Sequence, residues 1–215
     1  TYTAFGLFGW VGAPGEISNL KLQIGIGVSS AIRNGKGTNW ICIGGIAGYS
    51  NGIIEGCEIL DSSQIGSGNV IVTSEIKFDS IELNYCVGGI VGVDDGKQTK
   101  NVKVNSNVNV NGGLARAKDE SDKLNKDNDY LTFGRRKYVR EYTGGIIGLK
   151  RATRDLSQGD ISAVSCKVKG ANNIGGVIGS NEGGNISGLE FKGTLEVTNN
   201  IEIAASGVFI TFYGA

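Results

Sequence analysis

The sequence of 215 residues predicts an all-β fold in which short parallel strands stack as a solenoid. Two observations predict it: a glycine motif recurs along the chain, and β-branched residues predominate. The chain has 24 Ile and 17 Val against 12 Leu, a bias typical of strands. Its 36 Gly are more than twice the usual share of about 7%. Because 40% of the chain is hydrophobic, a disordered Gly-rich linker is excluded.

The recurring motif is Gly-Gly, two apolar residues and a third Gly. Complete copies occupy residues 44–48, 88–92, 144–148 and 175–179, and partial copies occupy residues 5–9 and 206–209. Successive copies are 39, 44, 56, 31 and 31 residues apart. The step of 31 residues is interpreted as the bare repeat, and the longer steps as repeats that carry insertions.

A second element follows each motif: an apolar residue, two small or polar residues, Leu or Cys, one further residue and another apolar residue. Its copies are residues 17–22, 54–59, 163–168 and 186–191, with a weaker copy at 99–104. A third, alternating stretch, such as residues 104–110, is typical of a half-buried strand.

These elements predict rungs of about three strands that wrap around an axis and stack in parallel about 4.8 Å apart. The alternative is an antiparallel β-sandwich with Gly-rich hairpins. Such a fold would have turn signals about every 8–12 residues and no long-range repeat.

The two elements together resemble the GLUG motif, over residues 44–59, 88–104, 144–168 and 175–191, with a similar start at 5–20. The resemblance covers most of the chain except residues 112–142. It implies a right-handed parallel β-helix with a non-catalytic role. The six complete and partial motif copies predict roughly six rungs. Such repeats occur in bacterial secreted and cell-surface proteins, including adhesins and immunoglobulin-A-cleaving metallopeptidases. The zinc motif of those peptidases, His-Glu-x-x-His, is absent from this sequence.

Composition excludes several chemistries. The chain has no His, so no His-based triad, His general base or His metal site lies within these residues. Its 21 basic and 21 acidic residues cancel, which gives no general argument for nucleic acid. We expect no cofactor, no metal site, no nucleic-acid partner and no insertion into a membrane. Residues 1–215 are expected to form a single domain, as a fragment of a larger chain.

A charged segment at residues 112–142 is predicted to be an insertion within the repeats. Eight basic and six acidic residues lie between Arg116 and Glu141. The candidate ligand-binding residues are Arg135, Arg136, Lys137, Tyr138 and Arg140, with Tyr142 nearby. Arginine forks and aromatic rings at this spacing are suited to a sulfated or carboxylated glycan. The alternative is a solvated insertion whose basic residues pair with its own acidic residues.

The cysteines are predicted to be buried and free. Cys42 and Cys86 each lie two residues before a Gly-Gly and are expected to be neighbours on adjacent rungs, with a disulfide as the alternative. Cys57 and Cys166 are assigned to one position of the second element. Trp10 and Trp40 are either sugar platforms or packing residues at a cap or corner. The turn at residues 94–96 lacks the spacing of a calcium loop.

The expected function is a non-catalytic module of a secreted or cell-surface protein, either a ligand-binding surface or a rigid spacer. Its expected partners are a glycan, a host protein and neighbouring domains of the same chain. One alternative is an ancillary substrate-binding domain of a secreted peptidase. Another is a β-helix polysaccharide lyase or hydrolase, which requires clustered carboxylates. No carboxylate position recurs from repeat to repeat, so we expect no enzyme activity.

Overall fold

The computed structural model describes residues 1–32, 37–66, 69–72, 81–112, 115–116, 139–161, 164–170 and 173–197. These residues form 24 strands, and no helix occurs among them. None of them therefore forms a helix that could cross a membrane. In chain order the strands are β1 (Tyr2–Phe5), β2 (Phe8–Val11), β3 (Glu16–Ser18), β4 (Lys21–Leu22), β5 (Gly25–Ile26), β6 (Ser29–Ile32), β7 (Gly37–Gly44), β8 (Ala47–Ser50), β9 (Ile53–Glu55), β10 (Glu58–Ile59), β11 (Gln64–Ile65), β12 (Asn69–Val72), β13 (Ile81–Gly88), β14 (Val91–Asp94), β15 (Gln98–Lys100), β16 (Lys103–Val104), β17 (Asn109–Asn111), β18 (Ala115–Arg116), β19 (Val139–Gly144), β20 (Ile147–Lys150), β21 (Lys167–Gly170), β22 (Asn173–Gly175), β23 (Ile178–Asn181) and β24 (Thr194–Val197).

The strands assemble into six sheets by parallel pairing. Sheet A contains β1, β7, β13, β19 and β22, and sheet B contains β2, β8, β14, β20 and β23. Sheet C contains β3, β9 and β15, sheet D contains β4, β10 and β16, and sheet F contains β6, β12 and β18. Sheet E contains β5, β11, β17, β21 and β24.

The chain passes through the sheets in the same order each time. Three passes use all six sheets from A to F, and two more use sheets A, B and E. We call these passes circuits 1 to 5; they span residues 2–32, 37–72, 81–116, 139–170 and 173–197. The structure confirms the predicted all-β fold. Its stacked parallel strands are compatible with a β-helix or solenoid. Because every strand pair among the described residues is parallel, the antiparallel sandwich is wrong.

The strands are shorter and more numerous than the predicted three per rung. Asn19, Gly56 and Asn101 lie between sheets C and D in circuits 1 to 3, with φ angles of 57°, 65° and 52°. A left-handed residue ends one strand and redirects the chain into the next, and Gly and Asn adopt this conformation most readily. The second sequence element is therefore split between two sheets. The predicted strand at 104–110 is also interrupted, between β16 and β17.

The main hydrophobic core lies within the circuits and consists of columns of similar residues. Ile65, Val110 and Val168, for example, are register partners in circuits 2, 3 and 4, and all are buried. Parallel stacking places equivalent positions of each repeat side by side, so one apolar position per repeat produces a continuous apolar column.

The Gly-Gly motif forms the sharp connection between sheets A and B. Its first glycines, Gly44, Gly88, Gly144 and Gly175, are partners in register, as the repeat predicts. A Cβ on Gly88 would lie 2.0 Å from the carbonyl oxygen of Val91, so no side chain fits there. The third glycine of each motif contacts sheet A directly: a Cβ on Gly92 would lie 2.5 Å from the backbone nitrogen of Ile43.

This close approach encloses a second, smaller core between the outer faces of sheets A and B. Its buried members are Cys42, Tyr49, Cys86, Val93, Tyr142 and Leu149. In sheet A they alternate along the strand with residues of the main core, as Cys42 does between Ile41 and Ile43. The third glycine of the motif is thus what allows the two sheets to pack back to back.

The four cysteines are buried and free, as predicted. Cys42 and Cys86 are register partners on β7 and β13, which confirms that they are neighbours on adjacent passes. The prediction that Cys57 and Cys166 occupy the same repeat position is wrong. Cys57 aligns with Val102 and Ile161, whereas Cys166 precedes β21 and aligns with Val108. Circuit 4 lacks strands in sheets C and D, so spacing in this circuit differs from that in circuits 2 and 3.

Circuits 1 to 3 differ in length chiefly at the connection from sheet F to the next strand of sheet A. The connection takes four residues after β6, eight after β12 and 22 after β18. Of the predicted insertion at 112–142, residues 115–116 lie in β18 and residues 139–142 lie in β19. Residues 117–138 lie outside the described part of the chain.

Candidate functional site

A column of polar and aromatic side chains lies on the outer face of sheet A. Tyr2, Trp40, Asn84 and Arg140 are successive register partners in circuits 1 to 4. Side chains alternate between the two faces of a strand, and Tyr85, the neighbour of Asn84, belongs to the main core. The column therefore lies on the same side of sheet A as the second core. We call Tyr2, Trp40, Asn84 and Arg140 the outer column.

Four rings from sheets A and B meet beside this column. Trp10 stacks on Tyr49 with ring centroids 4.0 Å apart, and Tyr2 stacks on Trp40 at 5.3 Å. Tyr2 also meets Trp10 edge-on at 6.1 Å and Tyr49 edge-on at 5.4 Å. We call Tyr2, Trp10, Trp40 and Tyr49 the aromatic cluster. Stacked and edge-to-face pairs at these distances stabilise one another, so the cluster is preorganised.

The aromatic cluster has a buried base and an exposed rim. Tyr49 is 6% exposed, whereas Tyr2 is 39% and Trp10 is 51% exposed. The base continues into the second core, to which Tyr49 belongs and against which Trp40 packs. An exposed indole held by a buried tyrosine presents a flat apolar surface to solvent at a fixed orientation.

Charged groups surround the rings. The Arg151 guanidinium lies 5.6 Å from the Trp40 ring centroid, a cation–π distance, and its Nη1 donates to the Tyr2 hydroxyl over 3.2 Å. Glu182 lies 3.8 Å from the Arg151 Nε. The Tyr49 hydroxyl donates to the Asp95 carboxylate over 2.7 Å. Burial, followed by this hydrogen bond, raises the pKa of Tyr49, so the phenol remains a donor at neutral pH.

This arrangement is suited to a saccharide. The C–H groups on one face of a sugar ring are apolar and pack on an aromatic face, while the hydroxyls around the ring require donors and acceptors. Binding sites of this kind combine apolar surface with a few placed polar groups. Trp10 supplies the exposed face here, and Arg151, Asp95 and Glu182 supply polar groups at the edge.

The predicted ligand-binding cluster is only partly within the described residues. Arg135, Arg136, Lys137 and Tyr138 lie outside them. Arg140 is exposed and belongs to the outer column. Tyr142, expected to stand beside it as a ligand-contacting ring, is 7% exposed and packs in the second core. Tyr142 is therefore a packing residue.

Trp10 and Trp40 occupy different environments within one cluster. Trp10 is exposed, as a platform requires, whereas Trp40 is partly buried between Tyr2 and the second core. Sequence reasoning identified both indoles but missed their tyrosine partners and Arg151. The 39-residue step between the first motif copies was the available signal, because it brings Trp10 and Tyr49 into register.

A second concave surface lies on the outer face of sheet E. It is a shallow groove of about 320 Å³. Its lining residues are Gln64, Gly66, Asn109, Val110, Asn111, Lys167, Val168, Lys169, Thr194 and Glu196. Lys169 and Glu196 form an ion pair of 2.6 Å across it. No aromatic residue occurs among the described residues that line the groove, so this lining offers less to a sugar ring than the aromatic cluster does.

The carboxylate of the Asp94 turn is engaged inside the protein. Asp94 is buried and pairs with the Arg154 guanidinium over 2.6 Å. Among the described residues no group of three or more cysteine and carboxylate side chains is arranged to hold a metal ion. Comparisons of the chain with protein-family models, with curated proteins and with solved structures found no match.

Proposed function

We propose that this chain is a non-catalytic, glycan-binding module of a bacterial secreted or cell-surface protein. The single observation that carries the proposal is the aromatic cluster, in which Trp10 is 51% exposed while its stacking partner Tyr49 is buried. A large aromatic ring exposed to water and held rigid loses little conformational freedom when a ligand binds, so it contributes directly to affinity.

The architecture we propose is a right-handed parallel β-helix of about six rungs, related to GLUG-motif repeats. Five circuits lie in the described residues. The partial motif at residues 206–209, outside them, would begin a sixth. A rigid stack of this kind suits a surface protein, because it holds the aromatic cluster on an extended and inflexible support.

Binding to a panel of immobilised glycans, followed by calorimetry, tests the proposal. We expect Trp10→Ala to reduce the affinity for the glycan selected by at least about tenfold, a loss of about 1.4 kcal/mol. Phe8→Ala is the matched control, because Phe8 is 41% exposed on the same strand but aligns with Ala47 of the main core and not with Tyr49. It is expected to bind normally.

Two results would contradict the proposal. Equal glycan affinity of the wild-type protein and Trp10→Ala would show that the aromatic cluster is not part of the binding site. Release of sugar products from polygalacturonate or from the selected glycan would refute the non-catalytic role.

A further inference from the structure

Asn84 in the outer column carries a buried amide with no partner. It is 1% exposed, and neither its Oδ1 nor its Nδ2 has a hydrogen-bond partner among the described residues. Its register neighbours on the same face are Trp40 and Arg140. Buried side-chain amides are nearly always hydrogen-bonded, so an unpartnered one requires an explanation.

The Arg151 side chain extends along the stack past circuit 3, the circuit that contains Asn84. Arg151 begins in circuit 4, where its backbone nitrogen donates to the Asp94 carbonyl oxygen of circuit 3. Its guanidinium reaches Tyr2 in circuit 1 and the ring of Trp40 in circuit 2. To reach them the side chain crosses circuit 3, which contributes Asn84 to the outer column. Arg151 therefore passes circuit 3 on the side of sheet A to which Asn84 belongs.

We propose that Asn84 is the hydroxyl-recognising residue of a subsite for a neutral sugar, and that Arg151 is the movable cover of this subsite. The inference rests on the proposed glycan-binding function. An amide places one acceptor beside two donors, which matches sugar hydroxyls that both donate and accept. With Arg151 displaced, a sugar stacked on Trp40 in circuit 2 would have a hydroxyl within reach of circuit 3, about 4.8 Å away.

The charges around the subsite favour a neutral sugar over an anionic one. Two cations, Arg140 and Arg151, stand near two carboxylates, Asp95 and Glu182. These described charges cancel with Arg151 in place and leave one excess carboxylate when Arg151 is displaced, so a uronic or sulfated sugar gains no net attraction in either case. A hydroxyl that satisfies the Asn84 amide, by contrast, removes the penalty of a buried unpaired group.

Calorimetric titration of the full chain with cellohexaose, xylohexaose, mannohexaose, chitohexaose and hexagalacturonate tests the inference. We expect one of the neutral hexasaccharides to bind. Asn84→Leu, a change of similar volume, is expected to weaken that binding at least about tenfold while the melting temperature stays equal or rises. In ¹⁵N spectra, the Asn84 side-chain NH₂ signal, assigned from its loss in Asn84→Leu, is expected to shift when the sugar is added.

The cover is tested by the association rate. Arg151→Ala is expected to associate with the neutral sugar faster than the wild-type protein. Lys100→Ala is the matched control, because Lys100 is similarly exposed (34% against 36% for the Arg151 side chain) and pairs with Glu55 on sheet C. An unchanged association rate for Arg151→Ala would overturn the role of Arg151.

The outcomes separate this inference from the function on which it rests. If Trp10→Ala loses binding but Asn84→Leu keeps it, the module binds glycans and Asn84 is only a structural residue. Preferential binding of hexagalacturonate would overturn the neutral class. If no probe binds the wild-type protein, the proposed function and this inference both fail.

Discussion

Asp94 and Arg154 form an ion pair of 2.6 Å in which the Asp94 side chain is completely buried. Burial raises the pKa of Asp94, and the Arg154 guanidinium opposes that rise. Arg154→Met leaves the carboxylate without its partner and is expected to cost about 3–5 kcal/mol of unfolding free energy, measured in urea.

The comparison for this pair is Lys103→Met, which breaks an exposed ion pair with Glu58 and is expected to cost less than about 1 kcal/mol. Adding Asp94→Ser to Arg154→Met should recover most of the loss, because Ser50 occupies the equivalent position in circuit 2. Equal costs for Arg154→Met and Lys103→Met would contradict a buried pair.

Gly92 sets the distance between sheets A and B. Gly92→Ala would place a Cβ 2.5 Å from the Ile43 nitrogen and 2.6 Å from the Gly48 carbonyl oxygen. Both obstacles are backbone atoms, one in sheet A and one in the neighbouring strand of sheet B, so the backbone must shift, and we expect a loss of about 3 kcal/mol or more in urea unfolding. Gly25→Ala has open space around its Cβ and is expected to be neutral or stabilising by up to about 1 kcal/mol. Similar losses at both positions would disprove this account.

Asn101 holds a left-handed backbone between sheets C and D. Its φ is 52°, and the equivalent residue of circuit 2 is Gly56. Asn101→Val is expected to destabilise the protein by about 1–2 kcal/mol, because a β-branched residue is strained there. Asn101→Gly should be close to neutral. Thermal unfolding of the two variants checks this, and a more stable Val variant would contradict it.

Because the Cys166 thiol is buried, we expect the folded protein to lose stability at alkaline pH. Burial raises its pKa from about 9 to about 12. The native protein therefore holds this proton at pH values where the unfolded chain releases it. The resulting contribution is complete below pH 9 and is lost as the pH rises towards 12.

Cys166→Val tests this dependence, since Val108 occupies the corresponding position of circuit 3. Between pH 9 and 11 the melting temperature of the variant should fall less steeply than that of the wild-type protein. Parallel pH profiles would show that Cys166 contributes nothing to the alkaline transition.

All four thiols are expected to be unreactive in the native protein. Cys42, Cys57, Cys86 and Cys166 are free and fully buried. An aromatic disulfide reagent should therefore titrate none of them before unfolding and four after it. Fewer than four after unfolding would indicate that Cys42 and Cys86 are bridged, since they are direct partners in register.

The repeat spacing predicted a large part of the fold. Gly44, Gly88 and Gly144 align because each lies where the backbone leaves no space for a Cβ atom, and only glycine lacks one. The same spacing failed for Cys166, because circuit 4 has no strands in sheets C and D and a local pattern cannot report a shortened path. A sequence pattern assigns residues to equivalent repeat positions, whereas the backbone hydrogen bonds between strands determine which residues are neighbours in the fold.

The candidate site was less predictable than the fold. Trp10 and Tyr49 come together through the register of β2 and β8, and this register follows from the spacing of the motif copies. Arg151 joins them through its own long side chain, across circuits that are distant in sequence. No sequence period encodes that contact, because it depends on sheets A and B packing back to back.

The varying connection between sheets F and A has a practical consequence. Lengths of four, eight and 22 residues are accommodated at one corner, while the strands on either side keep their register. New sequence can therefore be added at that corner without changing the stack. A peptide tag or a small folded domain inserted between β6 and β7 is therefore expected to leave the pairing of β7 with β13 unchanged.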